Sequence, residues 1–454
     1  MAHDSSTAEA PGLCLDLLAQ TPVLNKLYTQ ITSCFATSDA TTDEAIVTTL
    51  RHGLERLGAA VPWVAGKVVP NGPDKSCSCD FSIVPCESAP RLVVEDLRGH
   101  PSAPTMEQLR KTRFPMEALD ESILSPYKTL SHAADITPHV FVVQATFIQG
   151  GVLLTFVAQH NTMDMVGQEE VIRLLSKACR GEAFTAEELS NASTTRHDAV
   201  PFLDDSWQPG TELEYQTIKP SNGESQPTPP KSTWAYFGFS PDSLSKLKAL
   251  ASQELAPPVR YVSTDDALTA FIWQCVSRVR LPRLQPTATS LFARACDVRD
   301  ALGASPTYPG LLQNMTYNAL PATEVASQPL GVVASALRSQ LDPEHLAYRT
   351  RALVTALHRS EDKTKFSFSA TEDASKDIFF SSWAKIRLYD LDFGLGLGAP
   401  EAVRRPRFDP FESLMYIMPR APNGELVVGI CLRDEDMEAL KKDAEFMRHG
   451  TYIG

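Results

Sequence analysis

The stretch Gly150-Gly151-Val152-Leu153-Leu154-Thr155-Phe156-Val157-Ala158-Gln159-His160-Asn161-Thr162-Met163-Asp164-Met165-Val166-Gly167-Gln168 decides the fold. Its apolar, β-branched opening predicts a strand buried on both faces. The polar residues His160 to Asp164 end that strand. Beyond them Val171, Ile172, Leu174, Leu175 and Ala178 recur at steps of three and four, which predicts an amphipathic helix. A histidine lifted off a strand end and held in front of a helix is well placed to act as a base. An aspartate four positions on can turn back to fix the loop or the ring.

The pattern His-x-x-x-Asp occurs twice, at His160/Asp164 and His358/Asp362. The second lies in the charged run His358 to Lys365 and reads as a solvated surface segment. Only the first has a strand before it and an apolar helix after it.

Composition narrows the function. A chain of 454 residues suggests two or three domains. The net charge of −13 disfavours non-specific nucleic-acid binding. No run of eighteen apolar residues predicts a membrane span, and Met1 to Thr7 carries no export signal. The nine cysteines are scattered, and Cys77-Ser78-Cys79 is too close for a zinc pair. Reduced thiols in a cytoplasmic protein, with no metal, are expected. Asn191-Ala192-Ser193 and Asn314-Met315-Thr316 match the glycosylation pattern, by chance in a chain without an export signal.

Outward from His160, strands are predicted at Leu13–Leu18, Leu27–Phe35, Pro62–Val69, Arg91–Leu97 and Val140–Ile148, the last forming a hairpin with the His160 strand through Gly150-Gly151. Thr41 and Glu44 suggest a capping box for a helix whose apolar face includes Ala45, Ile46, Leu50, Leu54 and Leu57 and which ends at Gly58. Pro220 to Pro230 has no apolar periodicity and reads as a surface linker. Beyond it, Trp234–Phe239, Ser290–Arg299, Ile378–Trp383, Phe411–Met418 and Glu425–Leu432 read as strands. Ser240-Pro241 and Ser263-Thr264-Asp265-Asp266 open helices through Leu244, Leu247 and Leu250 and through Leu268 and Phe271. A last helix starts near Asp434. Segments of both kinds without strict alternation argue for α+β or mixed-sheet domains.

Pro62 to Val68, His160 to Asp164, Ser263 to Trp273, Asp297 to Arg299, Ser381-Ser382-Trp383 and Asp392 to Gly396 follow one another in an order that resembles the BAHD acyltransferases. Through Gln159-His160 with Met163-Asp164-Met165, Arg173 to Arg180, Val262 to Leu268, Tyr308 to Tyr317, and Arg404 to Arg407 with Pro410 to Tyr416, the chain more closely resembles the fungal trichothecene 3-O-acetyltransferases. The resemblance implies an α/β fold of two chloramphenicol-acetyltransferase-like lobes with mixed β-sheets and a tunnel between them. It implies an N-terminal lobe at 1–190, also receiving a segment near 370–395, a crossover loop at 191–232 and a C-terminal lobe at 233–454. Acetyl-CoA would be the acyl donor and a trichothecene such as deoxynivalenol or T-2 toxin the acceptor, acetylated at its C3 hydroxyl. The alternative acceptor is another fungal terpenoid or polycyclic alcohol. A monomer without nucleic-acid or membrane partners is expected. A condensation-type domain would carry a second histidine and a glycine where Gln159 and Met165 stand. The family's glycine motif has tryptophan where this chain has Leu395.

Neutral imidazole can take the proton of an alcohol at cytosolic pH, which nominates His160 as general base. Asp164 can be read as the orienting member of a triad; the resemblance implies instead that it turns away, pairs with Arg299 and positions the loop. By the same resemblance Ser381 is an oxyanion donor, and Asp392, Gly394 and Gly396 are structural. Arg404, Arg405 and Arg407 read either as contacts for the phosphates of coenzyme A or as a surface ion-pair cluster. Ser263 and Thr264, at a helix N-terminus, are a further phosphate candidate, although capping already explains them.

Overall fold

The computed structural model describes residues 12–21, 24–38, 41–71, 80–101, 103–130, 139–219 and 229–454. Two mixed sheets carry the chain. The first has five strands in the order Ala402–Arg404, Tyr28–Ala36, Gly151–Gln159, Phe141–Ile148, Arg91–Asp96. Gly151–Gln159 is its centre, paired antiparallel on both sides, from Tyr28 opposite Gln159 to Ala36 opposite Gly151, and from Phe141 opposite Ala158. All nine of its residues are buried, as its unbroken apolar run requires. Thr155 fits inside because its hydroxyl bonds that of Thr32 at 2.8 Å. Gly150 turns the hairpin at φ +77°, a conformation glycine adopts without strain.

The second sheet has seven strands, in the order Gln313–Pro321, Thr289–Asp297, Ile378–Ser382, Leu414–Ile417, Leu426–Arg433, Ser232–Phe239, Gly450–Tyr452. Ile378–Ser382 runs parallel to both neighbours. The helix Thr264–Arg280 packs beneath this sheet, with Phe271, Phe446 and Phe237 in one aromatic cluster. The strand that joins the first sheet from the C-terminal half is Ala402–Arg404, beyond the expected 370–395 segment. Within that segment Ile378–Ser382 stays in the second sheet, and Phe393 stacks on Phe156 of the first at 5.5 Å.

Several local expectations are corrected. Pro62–Ala65 is a 3₁₀ turn, and the strand is Lys67–Pro70. Proline at the first position of the turn fixes φ and needs no donor. Leu13–Leu18 is only a two-residue strand, Leu13–Cys14, before the turn Leu17–Gln20. The helix Asp43–Ala60 is capped by Thr42, one residue later than expected, and Ala45 is exposed. Leu250 is exposed too, because Ala251 takes the buried position. The helix Asp434–Leu440 is followed by another, Ala444–His449, and an edge strand. Cys14 is disulfide-bonded, so the nine cysteines are not all reduced thiols; six described ones are free. Cys77 to Cys79 and 220–228 lie outside the described residues.

Gly58 does not end its helix. It lets the helix pass the backbone of Ser88–Pro90, where an added Cβ would stand 2.5 Å from the Ser88 carbonyl oxygen and 2.8 Å from Ala89 Cα. Gly58→Ala, ordinarily favourable in a helix, is therefore expected to destabilise the chain by about 1–3 kcal/mol, measured by urea denaturation.

Candidate active site

The strand end sets the histidine. His160 N donates to the Leu27 carbonyl at 2.8 Å, the last rung between the two strands, and Thr162 N returns to Gln159 O at 2.9 Å. Arg196 holds the Thr162 carbonyl from outside the turn. Met163 and Asn161 are sealed in, whereas the His160 ring is partly exposed on the wall of a cavity of about 210 Å³. Its Nδ1 is buried without a hydrogen-bond partner, which leaves Nε2 as the nitrogen that can meet a ligand.

Asp164 does not touch the ring. Its carboxylate caps the following helix, Met165–Cys179, by accepting from Gly167 N at 2.8 Å. It also accepts from Leu312 N at 2.8 Å and, bidentately, from Arg299 at 2.9 and 3.0 Å. Arg299 is spent as fully, on the Tyr308 and Gly310 carbonyls at 3.1 and 2.8 Å and on Asp297 at 2.8 Å. Both groups are buried, and the triad reading of Asp164 is excluded by this geometry. The loop 308–312 is thereby drawn onto the helix start. A Cβ on Gly167 would lie 2.4 Å from Pro309 O, so only glycine allows the approach. Asp16 adds a second tie, taking the Tyr308 hydroxyl and Leu311 N.

Ser381 ends the central parallel strand and lines the same cavity. Its Oγ accepts from Trp383 Nε1 at 3.1 Å, so the hydroxyl proton is left to donate elsewhere. Ser382 beside it is committed to Asp265.

The arginines part company. Arg404 is buried and gives its guanidinium to the carbonyls of Val403, Phe114 and Arg113 at 3.0, 3.3 and 3.4 Å, away from His160. Arg407 is the only one of the three in an ion pair, with Asp120. Arg405 lies on the cavity wall with His160. Its guanidinium carbon stands 4.5, 4.8 and 5.5 Å from the ring centres of Phe408, Tyr416 and Trp383, and Nε has no hydrogen-bond partner. The expected surface cluster is thus a buried cation in an aromatic box. Ser263 and Thr264 are not brought to the cavity; the Ser263 hydroxyl is taken by Asp266 at 2.7 Å.

Asp392, Gly394 and Gly396 form a tight loop, with Asp392 Oδ1 accepting from Gly394 N at 2.8 Å and both glycines at positive φ. The Asp392 carbonyl accepts from Ser176 at 2.6 Å, fastening the loop to the helix that follows His160. Asn314 serves packing, bonded to Gln216 and Thr350 at 2.8 and 3.0 Å. His358 is exposed and stacks on Phe202. Asp16 and Glu372, the latter another cavity residue, carry no readable signal in the sequence, because no motif or periodicity marks them.

Burial holds the His160 imidazole below its ordinary range. Asp164 opposes this and the Arg405 charge adds to it. The ring is therefore neutral, as a base must be.

An isolated neutral imidazole facing a cavity beneath two mixed sheets is the arrangement of an acyltransferase of the two-lobed kind. Comparison with known proteins agrees. Residues 27–179 match the trichothecene 3-O-acetyltransferase-like N-terminal domain, and residues 106–447 match the transferase family. Trichothecene 3-O-acetyltransferase TRI101 of Fusarium sporotrichioides is 48% identical over 100% of both chains. O-acetyltransferase dmxR13 of Cryptosporiopsis sp. is 49% identical over 97% of each. The crystal structure of Fusarium graminearum TRI101 complexed with coenzyme A and deoxynivalenol superposes with a TM-score of 0.94 at 47% identity, over 98% of this chain and 100% of that one. Vinorine synthase shares the fold, with a TM-score of 0.68 at 15% identity over 98% of this chain and 94% of that one. The chain belongs to the trichothecene 3-O-acetyltransferase family of BAHD acyltransferases.

Two outcomes follow from this geometry. Asp164→Ala strands the buried Arg299 charge and is expected to cost about 3–5 kcal/mol in denaturant unfolding, whereas His160→Ala leaves that pair intact and unfolds close to the wild type. Arg405→Met removes a cation that disfavours imidazolium, so the acidic limb of the kcat/KM profile moves to higher pH; Arg405→Lys keeps it in place.

Proposed function

We propose that this enzyme transfers acetyl from acetyl-CoA to the C3 hydroxyl of a trichothecene, in a ternary complex and without an acyl-enzyme. The observation that carries the reading is the His160 ring, open to the cavity through Nε2 and free of any carboxylate partner. It is joined by the close likeness to structures complexed with coenzyme A and either deoxynivalenol or T-2 mycotoxin.

His160 Nε2 takes the proton of the bound hydroxyl as its oxygen attacks the thioester carbonyl. Negative charge moves to the carbonyl oxygen, towards which Ser381 offers its free O–H; such a donor is worth about 2.7–4 kcal/mol in a desolvated site. Collapse expels a thiolate whose parent pKa is about 8.5 if it resembles cysteine, so no strong acid is needed. The imidazolium then returns its proton to the sulfur. Asp164 and Arg299 position the base and take no part in proton transfer. Asp392, Gly394 and Gly396 brace the helix behind it. On this reading lobes 1–190 and 233–454 are joined through 191–232, and one chain in the cytoplasm supplies the whole site.

One observation favours a second acceptor: dmxR13 is as similar as TRI101 and bears a different name. Another fungal polycyclic alcohol would use the same base and donor. A panel of alcohols incubated with acetyl-CoA and read by mass shift separates the two. His160→Ala is expected to lower acetylation of deoxynivalenol about 10²–10⁴-fold, measured by chromatography of the product; undiminished acetylation overturns the assignment of the base.

A further inference from the structure

Glu372 stands on the wall of the His160 cavity, in the loop between the turn Lys363–Lys365 and the strand Ile378–Ser382. Its Oε1 is buried without a hydrogen-bond partner, which leaves Oε2 as the oxygen that can meet a ligand. Gln313, Ser367 and Ser369 line the same cavity. Glu372 as a whole is half-buried, but a buried carboxyl oxygen with nothing to bond is costly unless a ligand completes the group.

The charged groups around it favour the protonated form. Asp373 and Asp377 belong to the same loop; Asp377 accepts from Leu291 N and Asp373 N, each at 2.8 Å, and Lys376 stands 3.5 Å from Asp373. Tyr317 faces the loop from the strand Gln313–Pro321, donating to Phe368 O at 2.6 Å, and Arg349 of the helix Pro343–Arg359 stacks on that ring. His160 and Arg405 line the same cavity. Burial first, then Asp377 and Asp373, push the Glu372 carboxyl up to about 8. At neutral pH it is an uncharged acid that both donates and accepts.

We propose that Glu372 is a specificity-determining residue of the acceptor subsite, whose side-chain carboxyl group hydrogen-bonds a hydroxyl, ether or carbonyl oxygen of an uncharged polycyclic alcohol while His160 deprotonates the reacting hydroxyl. The assignment rests on the acetyltransferase reading.

The test is steady-state kinetics of the full chain with acetyl-CoA and deoxynivalenol on both sides of pH 8, for wild type, Glu372→Gln and Glu372→Ala. The wild type is expected to lose kcat/KM for the alcohol as the pH rises through about 8. Glu372→Gln, which cannot ionise, lacks that limb. Glu372→Ala raises KM for deoxynivalenol about tenfold, the worth of one hydrogen bond to a buried group, and leaves KM for acetyl-CoA unchanged. Because the folded carboxyl holds its proton above the ordinary range, stability also falls as the pH rises through that value, and Glu372→Gln removes the fall. If Glu372→Ala fails to fold, Glu372→Gln alone decides. An unchanged acceptor KM, a rise in KM for acetyl-CoA instead, or an alkaline limb that persists in Glu372→Gln overturns the assignment and leaves the acetyltransferase reading standing. A wild-type chain that acetylates no alcohol overturns both.

Discussion

The carboxylate of Asp164 is asked to satisfy two halves of the molecule at once. It accepts from Gly167 and Leu312 and takes both arms of Arg299. The first bond starts the helix behind His160; the others bring in a loop from the second sheet's side. Neither charge can be left alone at this depth, so the pair closes completely or the loop does not seat. One consequence is chemical. With every lone pair of Asp164 engaged, no carboxylate hydrogen-bonds the imidazole, and the charge of Asp164 only partly offsets the effect of burial. Such a base holds a proton only in passing, which suits a reaction whose leaving group is already a good one.

The cavity around that base is polarised without ion pairs. Arg405 is surrounded by Phe408, Tyr416 and Trp383, whose faces tolerate a cation in place of water. Its charge therefore remains effective across the cavity and adds to burial in disfavouring a protonated His160 ring. Ser381, oriented by the Trp383 indole, supplies a hydroxyl proton. Trp383 thus serves two groups, one through its face and one through its N–H.

The sequence made the His160 element readable because its period changes sharply, from a continuous apolar run to steps of three and four within a few residues. The Asp164–Arg299 pair followed from family likeness and not from spacing, since 135 positions separate the two. Arg404 and Arg405 are marked by the sequence as candidates, but their burial is not legible there. A run of arginines is normally solvated, and here Arg404 lies over Tyr236 and Arg405 over Phe408, Tyr416 and Trp383, rings that no simple spacing brings together. The turn at Pro62–Ala65 reads as a strand because its residues are apolar, although proline opens it. Glu372 sits in an irregular loop among other acids, with no periodicity to mark it as a wall of the cavity.

The strand Ala402–Arg404 closes one edge of the first sheet by pairing with Thr32–Cys34. That edge is synthesised long before the strand that covers it. While the chain leaves the ribosome, the row of amides and carbonyls on Tyr28–Ala36 stays open to any extended segment that passes. A chain cut short before residue 402 retains a sticky border, and it also loses Arg405, Phe408 and Tyr416 from the wall around His160.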